Sequence, residues 1–241
     1  LLSQLPNLHV ISKYGVGLNN LNLKAMKARG IKLGFTAGVN KQSVAELALT
    51  LMLTGLRKIH GNNLDILNGN WSQEKGSELY GKTIGLLGFG NIGKKLAELI
   101  QPFKCNILFF DEREHTHQDI ADIASELNLD SKLIHQESLN TVLNESDILS
   151  IHLPLLPETE NIISSNELNQ LKPNICIINT ARGGVVNEDH LYSFLLSNPN
   201  AFAGFDVYQE EPALNNPLFT LPNFFGTSHR SSLTNEGINS M

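Results

Sequence analysis

Three side chains of unlike chemistry stand late in the chain, each near the end of an apolar run that reads as a strand. Arg182 follows the run from Ile177 to Ala181, Glu211 lies between Asp206 and Pro212, and His229 closes the stretch that begins at Gly226. A guanidinium holds a carboxylate through two parallel N–H donors and polarises a neighbouring carbonyl. An imidazole gives or takes a hydroxyl proton near neutral pH. A carboxylate behind the ring orients it and favours its charged form. Together they suit the interconversion of a 2-hydroxy acid and a 2-oxo acid, provided a nicotinamide carries the hydride. Taken singly, each would more often be a surface or ion-pair residue. His135, His152, His190, His115 and His117 show that histidine is not rare here, and those read as structural or exposed.

The seat for a hydride carrier lies upstream. Gly88, Gly90 and Gly93 fall at G-x-G-x-x-G spacing. The apolar run Ile84 to Leu87 precedes them, and Ile92, Leu96, Leu99 and Ile100 recur at helical period behind them. Ile107 to Phe110 is a second buried strand, and Asp111 ends it. This is a strand–helix–strand unit with the dinucleotide fingerprint. Gly88 permits the tight turn, Gly90 lets a pyrophosphate approach the backbone, and Gly93 lets helix and strand pack closely. The helix N-terminus offers unpaired N–H groups to the phosphates. Asp111 would accept the adenosine ribose hydroxyls and repel a 2′-phosphate, which favours NAD over NADP; Arg113 nearby argues the other way.

Strands alternate with helices around this unit, which predicts an α/β fold with a doubly wound parallel sheet of Rossmann type. Strands are expected at 8–12, 31–35, 147–153, 174–179, 201–205 and 224–227, besides the pair above. A serine–glutamate pair, Ser43 and Glu46, reads as a capping box opening a long apolar helix to about Leu56, and a second helix is drawn from His60 to Gly69. A second capping box is read at Ser164 and Glu167. The stretch Glu112 to Gln136 is polar and reads as a surface elaboration with helical character at 120–127.

With 241 residues the chain can form one large or two modest domains, and 17% charged residues argue against disorder. A net charge of −6 gives no reason to expect nucleic acid or an anionic membrane as partner. No apolar run reaches the length of a membrane span. Cys105 and Cys176 both fall in expected buried strands and suit a reducing, cytoplasmic setting. The chain opens at Leu1 without methionine and is expected to belong to a longer protein.

The order and spacing of these motifs resemble the D-isomer-specific 2-hydroxyacid dehydrogenases, which include the D-3-phosphoglycerate dehydrogenases. The likeness runs through Tyr14 to Gly17, Ser43 to Glu46, the glycine fingerprint, His152 to Pro154 with Thr159, Asn179 to Gly183, Asp206 to Pro212, and His229. The resemblance implies that Arg182 binds the substrate carboxylate, that His229 is the acid/base, and that Glu211 is its partner. It implies Asn91 and Ile92 along the pyrophosphate, and Leu153, Pro154 and Thr159 bordering the cofactor. Thr180, Ala181, Arg182, Asp206 and His229 then stand toward the nicotinamide end, with Val16 and Gly17 at the substrate carboxylate. It implies a smaller, discontinuous α/β substrate domain, of which 1–38 would be the end of the first segment and 230–241 the start of the second, flanking an NAD-binding domain at 39–229. It also implies a homodimer formed through the cofactor domain. A D-2-hydroxy acid, with D-3-phosphoglycerate the first to test, is the expected substrate class. A non-catalytic NAD(H)-sensing protein on the same scaffold is the alternative.

The chain departs from the family pattern around His229, where Ser228 replaces the usual proline and Arg230 follows. Arg230 reads either as a solvated surface charge, the commoner state of arginine, or as a contact to a second anionic group. Asn187 stands where an aspartate is common.

Overall fold

The computed structural model describes residues 2–18 and 20–241; Leu1 and Asn19 lie outside it. The chain begins with a small unit: β1 (Val10–Ser12), α1 (Leu23–Ala28) and β2 (Lys32–Gly34). β1 and β2 pair in parallel as a separate two-stranded sheet, Ile11 opposite Leu33. Asn22 caps α1 by accepting the Ala25 N–H, and Gly30 ends it at φ +66°.

Two helices follow, α2 (Lys41–Leu56) and α3 (Ile59–Leu67). The main body then runs β3 (Thr83–Leu87), α4 (Asn91–Ile100), β4 (Asn106–Phe110), α5 (His117–Glu126), β5 (Ile134–Gln136), α6 (Leu139–Glu145), β6 (Ile148–Ile151) and α7 (Ser165–Leu168). It closes with β7 (Cys176–Asn179), α8 (Glu188–Ser197), β8 (Phe202–Phe205), β9 (Phe224–Gly226) and α9 (Asn235–Ser240). Seven strands form one sheet in the order β5-β4-β3-β6-β7-β8-β9, all neighbours parallel. The chain winds outward from β3 to β5, then returns to β6 on the other side of β3. The strand order therefore reverses between β3 and β6, and a crevice opens there at the strand C-termini.

Strand alternation sorts the core into two layers. Ile84, Leu86, Ile107, Phe109, Ile148 and Ile178 pack with Ala48, Leu51 and Met52 of α2 and Leu96 and Ile100 of α4. Leu87, Leu108, Leu149, Ile151 and Ile177 pack on the opposite face with Val142 of α6, Leu168 of α7 and Leu191 of α8. Burial on both faces explains why these strands read as continuous apolar runs.

Four local expectations need correction. Ser43 is not an N-cap: α2 begins two residues earlier with Asn40 at its N-cap, and the Ser43 hydroxyl instead bonds Thr234 Oγ1 at 2.8 Å. A tertiary partner outcompetes the local cap. The stretch 112–136 is not a surface elaboration, because it supplies α5 and the edge strand β5. Its polar look comes from α5, which buries only Ala124 and is opened by a capping box of Thr116 and Asp119. Cys105 precedes β4 rather than lying in it, although it is buried as expected, as is Cys176, and both are free thiols. The strand placed at 174–179 begins only at Cys176. Conversely, Asn187 gains a role: its side chain accepts the His190 N–H at 3.0 Å and caps α8, work an aspartate does equally well.

Candidate active site and cofactor face

The glycine loop joins β3 to α4 with the conformations its spacing requires. Gly88 has φ +94°, and a Cβ there would meet the His152 carbonyl oxygen at 2.9 Å. A Cβ on Gly93 would overlap the Gly88 carbonyl, so helix and strand are packed to contact at this point. Gly90, the N-cap of α4, faces open space, with no atom within 4 Å of an added Cβ and no side-chain cap on the helix N–H groups. Phe89 between them stacks on Phe109 of β4 at 4.1 Å and carries the loop on the core. Asn91 starts α4 and packs against Gly38, whose added Cβ would lie 2.8 Å from its amide nitrogen; Ile92 is half-buried beside it.

Asp111 follows β4 directly. One carboxylate oxygen accepts the Phe89 N–H at 2.7 Å and the other the Arg113 N–H at 3.2 Å, so the acid is tied to the glycine loop. Across the crevice, β6 leads into His152, Leu153 and Pro154. Leu153 lies against Gly88, and a Cβ on that glycine would stand 3.3 Å from its side chain. Thr159 folds the segment back, donating to the Pro154 carbonyl at 2.6 Å and accepting the Leu156 N–H at 2.8 Å.

His152 is held as a neutral ring. Nε2 bonds the buried Ser150 hydroxyl at 3.0 Å and Nδ1 is buried without a partner. Burial depresses its pKa from 6.5 to about 4. A histidine charged less readily in the folded than in the unfolded chain stabilises the fold above pH 6.5 and loses that contribution as pH falls toward 4. Urea melts at pH 7.5 and pH 5 should show an acid-side loss with a component of about 2 kcal/mol that is missing in His152→Gln. Equal pH dependence in both proteins would remove His152 as its source.

The next three strand ends carry the three side chains singled out in the sequence. β7 ends at Asn179 and leads to Thr180, Ala181 and Arg182. Thr180 and Ala181 are buried, and Thr180 Oγ1 has no partner. Arg182 is half-buried, with Nη1 donating to the Ala181 carbonyl at 2.5 Å. Burial draws its pKa below the ordinary value and the Glu211 charge opposes that shift; the guanidinium stays charged. Gly183 next to it packs so closely that a Cβ would overlap the Tyr208 carbonyl. The loop bearing Arg182 is thereby pressed onto the loop leading from β8 to Glu211.

Glu211 Oε1 accepts the Tyr208 N–H at 3.1 Å, and Oε2 lies 2.7 Å from His229 Nδ1. The peptide bond from Glu211 to Pro212 is cis. His229 follows β9 and adopts φ +49°, with its N–H donating to the Asp206 carbonyl at 2.8 Å. Because a carboxylate takes Nδ1, the proton on that nitrogen is fixed and Nε2 is the nitrogen free to exchange one. The structure thus brings Arg182, Glu211 and His229 to neighbouring strand ends. Val16 and Gly17 sit elsewhere, in the loop after β1 in the small unit. Sequence reasoning missed the groups that hold this arrangement, Gly183 and Tyr208 among them. The Gly183-Gly184 pair after Arg182 was the one signal available.

The residues fit a dinucleotide: open space over Gly90 at an uncapped helix N-terminus, an acid at the end of β4, and unpartnered polar atoms on Thr180 and His152. A methyl group tests the fit directly. Gly90→Ala should leave the melting temperature unchanged and weaken NADH binding by about tenfold or more. Gly93→Ala should instead destabilise the protein by about 1–3 kcal/mol. NADH fluorescence titration and thermal melts separate the two, and a Gly90→Ala protein binding NADH normally would contradict the pyrophosphate placement.

A doubly wound sheet with this loop at its switch point, and an arginine and a carboxylate-paired histidine at its strand ends, defines a nicotinamide-dinucleotide-dependent dehydrogenase. Residues 49–231 match the profile of the D-isomer specific 2-hydroxyacid dehydrogenase NAD binding domain. The chain is 36% identical over 235 residues to the hydroxypyruvate reductase of Thermotoga maritima, covering 95% of this chain and 72% of that protein. It is 33% identical to the D-3-phosphoglycerate dehydrogenase of Methanocaldococcus jannaschii, covering 98% of this chain and 44% of that protein. Among solved structures it superposes on Aquifex aeolicus D-lactate dehydrogenase, solved with NAD and lactic acid, with TM-score 0.86 and 27% identity over 99% of this chain and 74% of the other. The chain belongs to the D-isomer specific 2-hydroxyacid dehydrogenase family: it is an NAD-dependent oxidoreductase of 2-hydroxy and 2-oxo acids. Among the described residues, no helix is long and apolar enough to cross a membrane.

Proposed function

We propose that this chain reduces a short 2-oxo acid to its D-2-hydroxy acid, and the reverse, with Arg182, Glu211 and His229 as the working groups. The observation that carries the reading is the 2.7 Å pairing of His229 Nδ1 with Glu211, which leaves Nε2 for the substrate oxygen. Arg182 binds the substrate carboxylate through its fork of N–H donors and draws the adjacent carbonyl toward His229. His229 donates the Nε2 proton to the oxygen of the carbonyl as it becomes an alkoxide; in the reverse direction the neutral ring accepts the hydroxyl proton. Glu211 holds the imidazole in one orientation through its contact with Nδ1. Bound NADH supplies the hydride that reaches C2. Asp111 binds the adenosine ribose, the Gly88 to Gly93 loop with Asn91 and Ile92 the pyrophosphate, and Leu153, Pro154, Thr159, Thr180, Ala181 and Asp206 border the rest of the cofactor. Val16 and Gly17 approach the substrate carboxylate from the small unit.

Relatives named for hydroxypyruvate, D-3-phosphoglycerate and glyoxylate support a substrate of two or three carbons. The test is NADH oxidation with a panel of hydroxypyruvate, 3-phosphohydroxypyruvate, glyoxylate and pyruvate. Turnover with one of them names the substrate; tight NADH binding without turnover on any would point to the sensing alternative.

The same reading divides the chain into a cofactor domain at 39–229 and substrate-domain pieces at 1–38 and 230–241. The separate two-stranded sheet of β1 and β2 supports it. The two buried free cysteines fit a cytoplasmic protein. A homodimer is proposed through the face around α3, where Ile59, Leu64, Ile66 and Leu67 are exposed and Trp71 beyond the helix is 83% exposed. Leu67→Glu combined with Trp71→Glu should convert the dimer to monomer in light-scattering chromatography. A dimer of undiminished stability would place the interface elsewhere.

A further inference from the structure

The carboxylate paired with His229 stands on a loop with little core beneath it. From 209 to 215 the chain is exposed apart from Ala213, and Leu214 is 82% exposed. Inside that stretch Glu211 bonds back to the Tyr208 N–H and across to His229. Glu188 grips the loop from outside. It opens α8, a helix seated on the core by Leu191, Phe194 and Leu195. Its Oε1 accepts the Gln209 N–H at 2.6 Å, and its Oε2 accepts from Asn216 Nδ2 at 2.6 Å. Asn216 is itself fixed, because its Oδ1 accepts the N–H of the buried Leu218 at 3.0 Å. The two bonds therefore hold the loop on both sides of Glu211. Gly183 bounds the same backbone from another direction, since a Cβ there would overlap the Tyr208 carbonyl and the Gln209 nitrogen.

We propose that Glu188 is a positioning residue for the acid/base pair: by pinning the loop at Gln209 and Asn216 it sets Glu211, and through Glu211 the ring of His229. This rests on the roles given above to Glu211 and His229. An acidic residue in the first turn of a helix is common, because it meets the positive end of the helix dipole. What separates Glu188 is where its oxygens go. The cap of α8 is supplied by Asn187, and both Glu188 oxygens are spent on the loop instead. A hydrogen bond weakens as its atoms move apart, so a loop released at Gln209 loosens the 2.7 Å contact of Glu211 with Nδ1. The imidazole then loses the orientation that aims Nε2 at the substrate oxygen, and small misplacements of this kind are costly in rate. Glu188 acts on the reaction only through this loop.

The test uses the full chain with NADH, the best 2-oxo acid of the panel, and oxamate as a non-reacting carboxylate analogue. Glu188→Ala removes both bonds. It should lower kcat by about tenfold, with an NADH Kd within about twofold of wild type. Glu188→Gln still offers an oxygen to the Gln209 N–H and should recover most of that loss. The deciding measurement is the same pair of substitutions in a Glu211→Gln background. If Glu188 works through Glu211, Glu188→Ala should change kcat there by less than about twofold, so the two losses do not multiply. Should Glu188→Ala not fold, Asn216→Asp keeps the acceptor for the Leu218 N–H but sets a second carboxylate against Glu188. It should lower kcat in the same way, and again only while Glu211 is present. Wild-type kcat in these variants would overturn the proposal, as would losses that multiply with that of Glu211→Gln. A wild-type protein with neither turnover nor oxamate binding would overturn the functional reading instead.

Discussion

His229→Ala is expected to lose about 10²–10⁴-fold in kcat and to bind NADH as the native protein does. The imidazole pairs one ring nitrogen with Glu211 and presents the other toward the substrate oxygen. Glu211 occupies Nδ1 at 2.7 Å, so removal of the ring takes away the nitrogen that would exchange the proton. The side chain is 45% exposed, so its loss should not disturb the core. Steady-state rates with a saturating 2-oxo acid, beside an NADH fluorescence titration, measure the effect. Turnover within about tenfold of wild type would sink the acid/base role, because general catalysis by a positioned imidazole contributes more than that. Glu211→Gln keeps a hydrogen-bond partner for the ring but not the charge, and its loss should be smaller than that of the ring itself.

Arg182→Lys is expected to reduce kcat/KM by about 10²–10³-fold, with oxamate no longer binding detectably to the NADH complex. Lysine keeps the charge, so the deficit isolates the forked geometry: a single ammonium cannot meet both carboxylate oxygens at once. Arg182 also leans on its surroundings, with Nη1 on the Ala181 carbonyl and the Glu211 charge close enough to offset its burial. A cation without the fork cannot make those contacts and reach the substrate together. The loss should appear mainly in KM, since a carboxylate clamp holds the ground state and the transition state alike. Kinetics and oxamate titration on the same preparation check this. An unchanged KM would move the carboxylate site away from Arg182.

The strands of the main sheet were legible in the sequence because they are buried on both faces. Runs such as Ile107 to Phe110 admit no other reading once a glycine loop and a helical repeat precede them. β5 was not legible. It is three residues long and carries His135 and Gln136, so it lacks an apolar run; its place comes from pairing with β4 at the sheet edge. The start of α2 is misleading for a related reason. Ser43 and Glu46 have capping spacing, but Thr234, far along the chain, supplies the serine's partner, and no local pattern announces a contact at that separation.

The dinucleotide loop and the acid after β4 were legible because each depends on residue type at a fixed short spacing; Arg182, Glu211 and His229 were singled out because all three stand at positions of the family pattern. The pairing of His229 with Glu211 and the pressing of Gly183 onto the Tyr208 carbonyl were decided by the tertiary structure. These groups sit on different loops, at the ends of β7, β8 and β9. Only parallel pairing of those strands brings the loops side by side, and their hydrogen bonds then fix which atoms meet.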